Sequence, residues 1–127
     1  MSIASSQPIS SLKDAFHIDA GTGEHIYPMT DPEKSGLKRF SDAYFEIEPQ
    51  KSTTLHHHPE PYEELYHIIE GVGKMILGGS TYAVKAGDVI AIKPDIKHKL
   101  INIGEGTLKA IVICSPPWNP DCVIADE

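Results

Sequence analysis

The sequence is most informative at Leu55-His56-His57-His58-Pro59, which is followed by Glu63-Glu64 and, about forty residues later, by His98. Alternate residues of a β-strand point to the same face, so His56 and His58 project together and His57 projects away from them. Two imidazoles on one face, a nearby carboxylate and a distant third imidazole form a ligand set for zinc, iron, nickel, copper or manganese. The stretch therefore predicts a metal pocket built on β-strands.

Two segments of the chain carry the pattern of a known family. The first segment begins with Thr53-Thr54-Leu55 and the histidine triplet, and continues through Glu63-Glu64 and a β-prone stretch to Gly71. The second begins with Gly87-Asp88 and continues through an apolar strand, a turn at Pro94-Asp95, His98 and Asn102. Together they resemble the two signature motifs of the cupin superfamily. The resemblance extends from Thr53 to about Ile113 and implies a small single-domain cupin, or monocupin.

The resemblance implies four metal ligands, which are His56, His58, Glu64 and His98. Glu64 is selected when the family spacing is counted back from Gly71. Counting forward from His58 selects Glu63 instead, and strand alternation allows only one of the two carboxylates to face the metal. The register of the strand that ends at Gly71 favours Glu64.

The turn before His98 departs from the family pattern. Asp95 stands where the family has a glycine, and Lys93 replaces a common proline. Aspartate tolerates left-handed backbone conformations better than most residues, so we expect the turn to keep its shape. Neither change removes a predicted ligand.

The remaining sequence predicts short strands and turns. Ten glycines and ten prolines are spread along the 127 residues, and many short strands at close spacing indicate a sandwich or barrel. The resemblance narrows this to an all-β double-stranded β-helix, which is a jelly-roll barrel. We expect one domain, with an N-terminal arm and edge strands at 1–36, a barrel core at 37–115 and a proline-rich tail at 116–127.

Two proline-containing segments are predicted to lie outside regular structure. Residues 28–36 contain two prolines and several charges, which is typical of a loop. Residues 115–120 contain three prolines, which exclude a regular helix or a central strand.

The net charge, the apolar runs and the cysteines predict a cytoplasmic protein that binds neither nucleic acid nor membranes. The formal net charge of -7 opposes nonspecific binding to nucleic acid and attraction to anionic membranes. No apolar run is long enough to span a membrane, and Met1 to Ser5 lack the regions of a signal peptide. Cys114 and Cys122 belong to no CxxC motif, so we expect two thiols in a reducing cytoplasm.

Three further residues are candidates for a substrate pocket. Tyr66 shares the face of Glu64, and Leu100 shares the face of His98, because each lies two residues further along its strand. Arg39 is the only arginine, and its guanidinium is able to bind a carboxylate through two hydrogen bonds. A surface position beside Lys38 is the alternative for Arg39.

Two functions are compatible with these residues. The first is a metal-dependent enzyme with one divalent transition metal per chain (Mn, Fe, Ni, Zn or Cu), acting on a small polar or carboxylate-bearing organic molecule at an open coordination position. Cupins of this pattern include dioxygenases, decarboxylases and isomerases. The second is a noncatalytic small-ligand binding or sensor protein. We also expect a homodimer, because an open jelly roll leaves strand edges and the segment up to Tyr27 is available to a partner's sheet.

Overall fold

Two antiparallel β-sheets form a jelly-roll, the double-stranded β-helix that the sequence predicts. The computed structural model describes residues 8–127. Its strands are β1 (Ile18–Asp19), β2 (Glu24–Pro28), β3 (Ser41–Ile47), β4 (His56–His57), β5 (Glu63–Glu70), β6 (Val72–Leu77), β7 (Ser80–Lys85), β8 (Val89–Ile92), β9 (His98–Asn102), β10 (Leu108–Ser115) and β11 (Ile124–Ala125). One sheet has the strand order β1-β2-β3-β10-β5-β8, and the other has β11-β4-β9-β6-β7.

Only short helical turns interrupt the strands within residues 8–127. They are α1 (Pro32–Ser35) and two 3₁₀ turns at Leu12–Asp14 and Pro120–Cys122. The loop expected at 28–36 therefore contains one helical turn, which the pattern of prolines and charges did not predict. The side chain of Asp31 caps this turn by accepting a hydrogen bond from the Lys34 amide, and Gly36 ends it with a φ of 80°.

Helices in the described part of the chain are all too short to cross a membrane.

The chain crosses from one sheet to the other at Gly71. This residue separates β5 from β6 and has a φ of 98°, a conformation that favours glycine. A Cβ atom at this position would lie 3.0 Å from the Cα atom of Leu108. Both the backbone conformation and the close approach therefore require glycine between the two sheets.

The strands bury alternate side chains between the sheets. Along β5, Glu64, Tyr66 and Ile68 are buried whereas Glu63 and His67 are exposed. Along β9, His98, Leu100 and Asn102 are buried. The apolar core between the sheets includes Phe45, Ile47, Ile68, Met75, Leu100 and Leu108. The same alternation that fills the core with apolar side chains directs Glu64 and His98 inward.

Asn102 and Asp95 stabilise the backbone at the two ends of β9. The buried Asn102 amide donates hydrogen bonds to the carbonyl oxygens of Ile47 and Gly106, both at 2.8 Å. Asp95 has a φ of 66°, so the turn keeps the left-handed conformation expected for it. Its amide donates a hydrogen bond of 2.7 Å to the His58 carbonyl. The turn before His98 is thereby joined directly to the histidine segment.

Both terminal segments of the described chain add strands to the sheets. β1 and β2 extend the six-stranded sheet beside β3. The first seven residues of the predicted N-terminal arm lie outside the described range. β11 lies within the proline-rich tail and pairs with β4 at the edge of the five-stranded sheet. The tail therefore contributes an edge strand beside the histidine segment.

Candidate metal centre

Four of the predicted side chains meet on the inner face of the jelly roll. His56 on β4 is the register partner of His98 on β9, and their ring centroids are 4.2 Å apart. His58 follows β4, and Glu64 lies near the start of β5. One ligand atom from each of the four side chains lies within 4.8 Å of the other three. The structure thus brings three imidazoles and one carboxylate together around one point.

The backbone fixes the orientation of each imidazole. The Nδ1 atoms of His56, His58 and His98 lie 2.7, 2.8 and 2.9 Å from the carbonyl oxygens of Thr54, Cys122 and Ile96, respectively. A carbonyl oxygen only accepts hydrogen bonds, so each Nδ1 carries the proton and donates it. In a neutral imidazole the lone pair is then on Nε2. Three such lone pairs face the shared point, as in proteins whose histidines bind metal through Nε2.

Several polar atoms at this point are buried and lack a hydrogen bond. Within the described residues, Nε2 of His58, Nε2 of His98 and Oε1 of Glu64 have no hydrogen-bond partner. Nε2 of His58 lies 3.0 Å from Oε1 of Glu64, but the two atoms are not aligned as a hydrogen bond. Buried polar atoms without partners are costly. A cation bound by all four side chains removes this cost, so the residues fit a metal ion.

Electrostatics hold Glu64 and His56 in the charge states that metal ligands need, whereas they favour the protonated form of His58, whose proton a bound metal would displace. Burial would raise the pKa of Glu64, but the imidazoles of His58 and His98 lower it to about 2. Burial, and then the neighbouring His98, lower the pKa of His56 to about 4. Burial pushes the pKa of His58 down, but the adjacent Glu64 carboxylate outweighs burial and leaves it raised. At neutral pH the site therefore contains an ionised carboxylate and a neutral His56.

Neighbouring residues of the same types lie outside the cluster. Glu63 is exposed, whereas Glu64 lies 3.0 Å from His58 and 3.4 Å from His98. His57 projects away, and its Nδ1 lies 2.8 Å from the carboxylate of Asp126. The register counted back from Gly71 therefore selects the buried glutamate, Glu64, whereas the spacing counted forward from His58 selects the exposed one, Glu63.

A cavity of about 310 Å³ adjoins the cluster on the inner face of the six-stranded sheet. His56, His58, Glu64 and Tyr66 line it together with apolar side chains of β2, β3 and β10. Of the three candidate pocket residues, only Tyr66 lines the cavity. Leu100 is fully buried in the core, and Arg39 is exposed at a bend before β3. Arg39 and Leu100 therefore lie outside the cavity lining, and Leu100 packs in the apolar core.

Two groups at the site were not anticipated from the sequence. Glu24 on β2 lines the cavity, where burial, and then the charge of Glu64, raise its pKa to about 7. The Cys122 carbonyl accepts the hydrogen bond of His58 across 64 residues of sequence. A backbone carbonyl leaves no signal in a sequence, and a lone glutamate in a short strand resembles any solvated residue. Both cysteine thiols are buried and free.

The fold and the cluster define a jelly-roll protein with a buried site of three histidines and one glutamate. The cupin domain family matches residues 43–114, which is more than half of the chain. The chain therefore belongs to the cupin family.

The chain is also similar to individual proteins. The chain is 42% identical over 73 residues to the uncharacterized protein MJ1618 of Methanocaldococcus jannaschii, covering 58% of each chain. It spans about half the length of the curated relatives that it matches, from 45% to 61%.

Two solved structures resemble the fold along nearly the whole chain. Oxalate decarboxylase of Lactobacillus farciminis superposes with a TM-score of 0.78 at 24% identity, over 90% of this chain and 34% of that one. The polyketide cyclase RemF of Streptomyces resistomycificus superposes with a TM-score of 0.75 at 24% identity, over 92% and 83%. At these identities the likeness establishes the fold alone.

Proposed function

We propose that this protein is a metal-dependent enzyme that acts on a small organic molecule. One divalent transition metal per chain (Mn, Fe, Ni, Zn or Cu) would be held by His56, His58, Glu64 and His98. The observation that carries the proposal is the buried set of unpaired atoms on His58, Glu64 and His98. Their arrangement leaves lone pairs and a negative charge facing one point, which favours a cation there.

The residues around the cluster would have two roles at such a site, which are to orient the ligands and to admit a small molecule. The carbonyls of Thr54, Cys122 and Ile96 orient the imidazoles. The adjoining cavity gives a small molecule access to the cluster, and its mainly apolar wall limits the entry of water. When bound, the metal would supply Lewis-acid or redox chemistry to an oxygen of the substrate. The reaction classes we propose are oxygenation, decarboxylation and isomerisation.

The structural neighbours favour an enzyme over a binding protein. Oxalate decarboxylase and the polyketide cyclase RemF are both catalysts by name. The cavity also brings two groups able to hydrogen-bond a substrate, Tyr66 and Glu24, to the side of the metal cluster. A protein that only binds a ligand has less need for a carboxyl group whose pKa is raised to about 7, close to the value that suits proton transfer.

Elemental analysis tests the metal site. We expect about one transition metal per chain in protein purified without a nickel column or added metal. His58→Ala and His98→Ala should each lower metal content at least about tenfold while the β-sheet circular dichroism persists. His67→Ala is the matched control, because His67 lies on β5 with its side chain on the exposed face. Equal metal content in all four proteins would contradict the assignment.

Turnover separates the enzyme from the noncatalytic alternative. Metal-loaded protein should convert a bound small molecule, and removal of the metal with a chelator should abolish conversion. Tight binding of a ligand without any conversion by the metal-loaded protein would instead identify a binding or sensor cupin.

A further inference from the structure

We propose that the cavity beside the metal cluster binds a mostly apolar ring compound carrying hydroxyl or carbonyl oxygens, and not a small dicarboxylate. This inference rests on the proposed function and narrows the substrate class of the same site. The sequence alone left both polar and carboxylate-bearing molecules open.

The wall of the cavity is mainly apolar. Ile26 on β2, Ala43 and Phe45 on β3, Val112 on β10, and Trp118 and Val123 of the C-terminal segment contribute to it. The Phe45 and Tyr66 rings meet edge to face, with centroids 5.1 Å apart, and present aromatic surface beside the cluster. The cavity of about 310 Å³ holds the volume of about ten water molecules. Its size and wall suit a small ring system, which gains about 25 cal/mol for each Å² of apolar surface it buries.

The charges around the cavity disfavour a ligand with several carboxylates. No lysine or arginine of the described chain lines the cavity, whereas four acidic residues do. Those four residues are Glu24, Asp31, Asp42 and Glu64. A divalent metal beside Glu64 would leave one net positive charge, which is enough for one anionic oxygen. A second ligand carboxylate would enter an apolar and acidic space without a cation, and burying an unpaired charge is costly.

The lysines near His98 do not compensate for these acidic residues. Lys97 pairs with Asp126 at 4.0 Å, and Lys99 pairs with Glu127 at 3.1 Å. Neither lysine lines the cavity. The two lysines thus form ion pairs with the C-terminal segment on the outer side of the sheet and do not neutralise the acidic residues of the cavity.

Two polar groups in the cavity wall remain available to a ligand. Within the described residues, the Tyr66 hydroxyl and the Glu24 carboxyl make no hydrogen bond, although Tyr66 is 4% exposed. By contrast, Asp42 accepts from the Thr30 hydroxyl and Asp31 caps α1. A hydroxyl or carbonyl group on the ligand would satisfy Tyr66 and Glu24, whereas the ionised form of Glu24 would repel a carboxylate beside it. The arrangement therefore selects a neutral oxygen-bearing ring.

Isothermal titration with a matched pair of probes tests this ligand class. The first probe is 2-naphthol, which is neutral at pH 7, and the second is naphthalene-2,6-dicarboxylate, which has the same ring system and two carboxylates. Malonate represents the small dicarboxylates. We expect 2-naphthol to bind the metal-loaded protein at least about tenfold more tightly than either acid, a difference of one decade in Kd.

A charge placed in the wall locates the binding site. Val112→Lys should weaken the binding of 2-naphthol and reverse the preference towards the naphthalenedicarboxylate, because the new ammonium group would pair with its second carboxylate. Val89→Lys makes the same change at a position that is 57% exposed on β8 and should leave the preference unchanged. If Val112→Lys does not fold, Ala43→Phe, which fills the cavity, should abolish 2-naphthol binding at unchanged metal content.

Failure of this inference is distinguishable from failure of the proposed function. Tighter binding of either acid, or no binding of 2-naphthol at about 1 mM, would overturn the ligand class while metal content still supported the enzyme. If the protein held no metal, the proposed function would fall. The same titrations on chelator-treated protein would then still decide the ligand class, because the apolar wall does not depend on the metal.

Discussion

At the scale of single residues, a step of one position decides which glutamate can reach the metal. Glu63 and Glu64 are adjacent on β5, and strand alternation buries Glu64 and exposes Glu63. The family spacing counted from His58 points to the exposed residue, whereas the strand register counted from Gly71 points to the buried one. The rigid strand is the better guide because the intervening residues 59–62 form a turn that absorbs an extra residue.

Neutralising the two glutamates separately tests this distinction. Glu64→Gln should weaken metal affinity by about tenfold or more, because it removes the only negative charge among the four side chains. Glu63→Gln should leave the affinity unchanged. Competition with a metal-binding dye measures both constants. A larger effect of Glu63→Gln would show that the register of β5 is not the one described.

The ionisation of Glu24 should make the free energy of unfolding of the metal-free protein depend on pH. Burial, and then the charge of Glu64, raise its pKa from 4.5 to about 7. The pKa of such a carboxyl group is higher in the folded than in the unfolded protein. Its contribution to the free energy of unfolding is fully present below the unfolded pKa and is lost as the pH rises through the folded pKa. Glu24→Gln should therefore match the parent at pH 4 and become more stable than the parent between pH 4.5 and 7, by at most about 3 kcal/mol.

Urea unfolding in the presence of a chelator measures this difference. Glu105→Gln, a change at an exposed position, serves as the control and should show no such trend. A constant difference between the parent and Glu24→Gln across this pH range would mean that Glu24 titrates normally in the folded protein.

At the scale of structural elements, the C-terminal segment supports the metal cluster. β11 pairs with β4, and the Asp126 carboxylate accepts a hydrogen bond of 2.8 Å from His57. The Asp126 amide donates to the Leu55 carbonyl at 2.9 Å. These bonds hold the strand that carries His56, and they place the Cys122 carbonyl against His58.

Deleting residues 123–127 should weaken the metal site. Without β11, the edge of β4 is unpaired and the Cys122 carbonyl is free to move away from His58. We expect about tenfold weaker metal affinity and a melting temperature lower by several degrees, measured by dye competition and calorimetry. Glu127→Gln is the control, because it removes the charge that pairs with Lys99 but keeps an oxygen able to accept the hydrogen bond from the Leu55 amide, so it should have little effect. An unchanged affinity after the deletion would show that β11 does not position His58.

Sequence patterns predicted the elements that repeat a simple periodicity. The inward positions of Glu64 with Tyr66 and of His98 with Leu100 follow from the two-residue period of a strand. The full set of four ligands was implied by the resemblance to the cupin motifs. α1 and β11 were missed because one helical turn and a two-residue strand are shorter than any detectable period. Their positions depend on tertiary contacts, such as the pairing of Ile124 with His57.

Long-range contacts explain the remaining differences at the site. The partner of His58 is a backbone carbonyl, which any residue at position 122 would supply. Leu100 and Tyr66 both occupy inward positions, yet only Tyr66 lines the cavity. An inward position on a strand predicts burial, but the shape of the space between the sheets decides whether a buried side chain meets the core or the cavity.

At the scale of the whole molecule, we predict a homodimer. β1 forms one edge of the six-stranded sheet, and Phe16 beside it is 71% exposed. An exposed edge with an adjacent aromatic side chain is suited to pairing with a second copy. Light scattering should give twice the chain mass of 13.9 kDa, and Phe16→Ser should shift the protein towards monomer. A stable monomer of the parent protein at micromolar concentration would rule this out.

The bond between His58 and the Cys122 carbonyl also sets an order of assembly. During synthesis, His56, His58 and Glu64 emerge well before His98, and the carbonyl that orients His58 emerges 64 residues after it. A nascent chain therefore contains all four ligands only after His98 has been made, and the carbonyl that orients His58 only after Cys122. Contacts that are so distant in sequence form late in folding. A metal ion would thus bind after the barrel has formed and would slow its unfolding. It would not serve as a nucleus for the initial collapse of the chain.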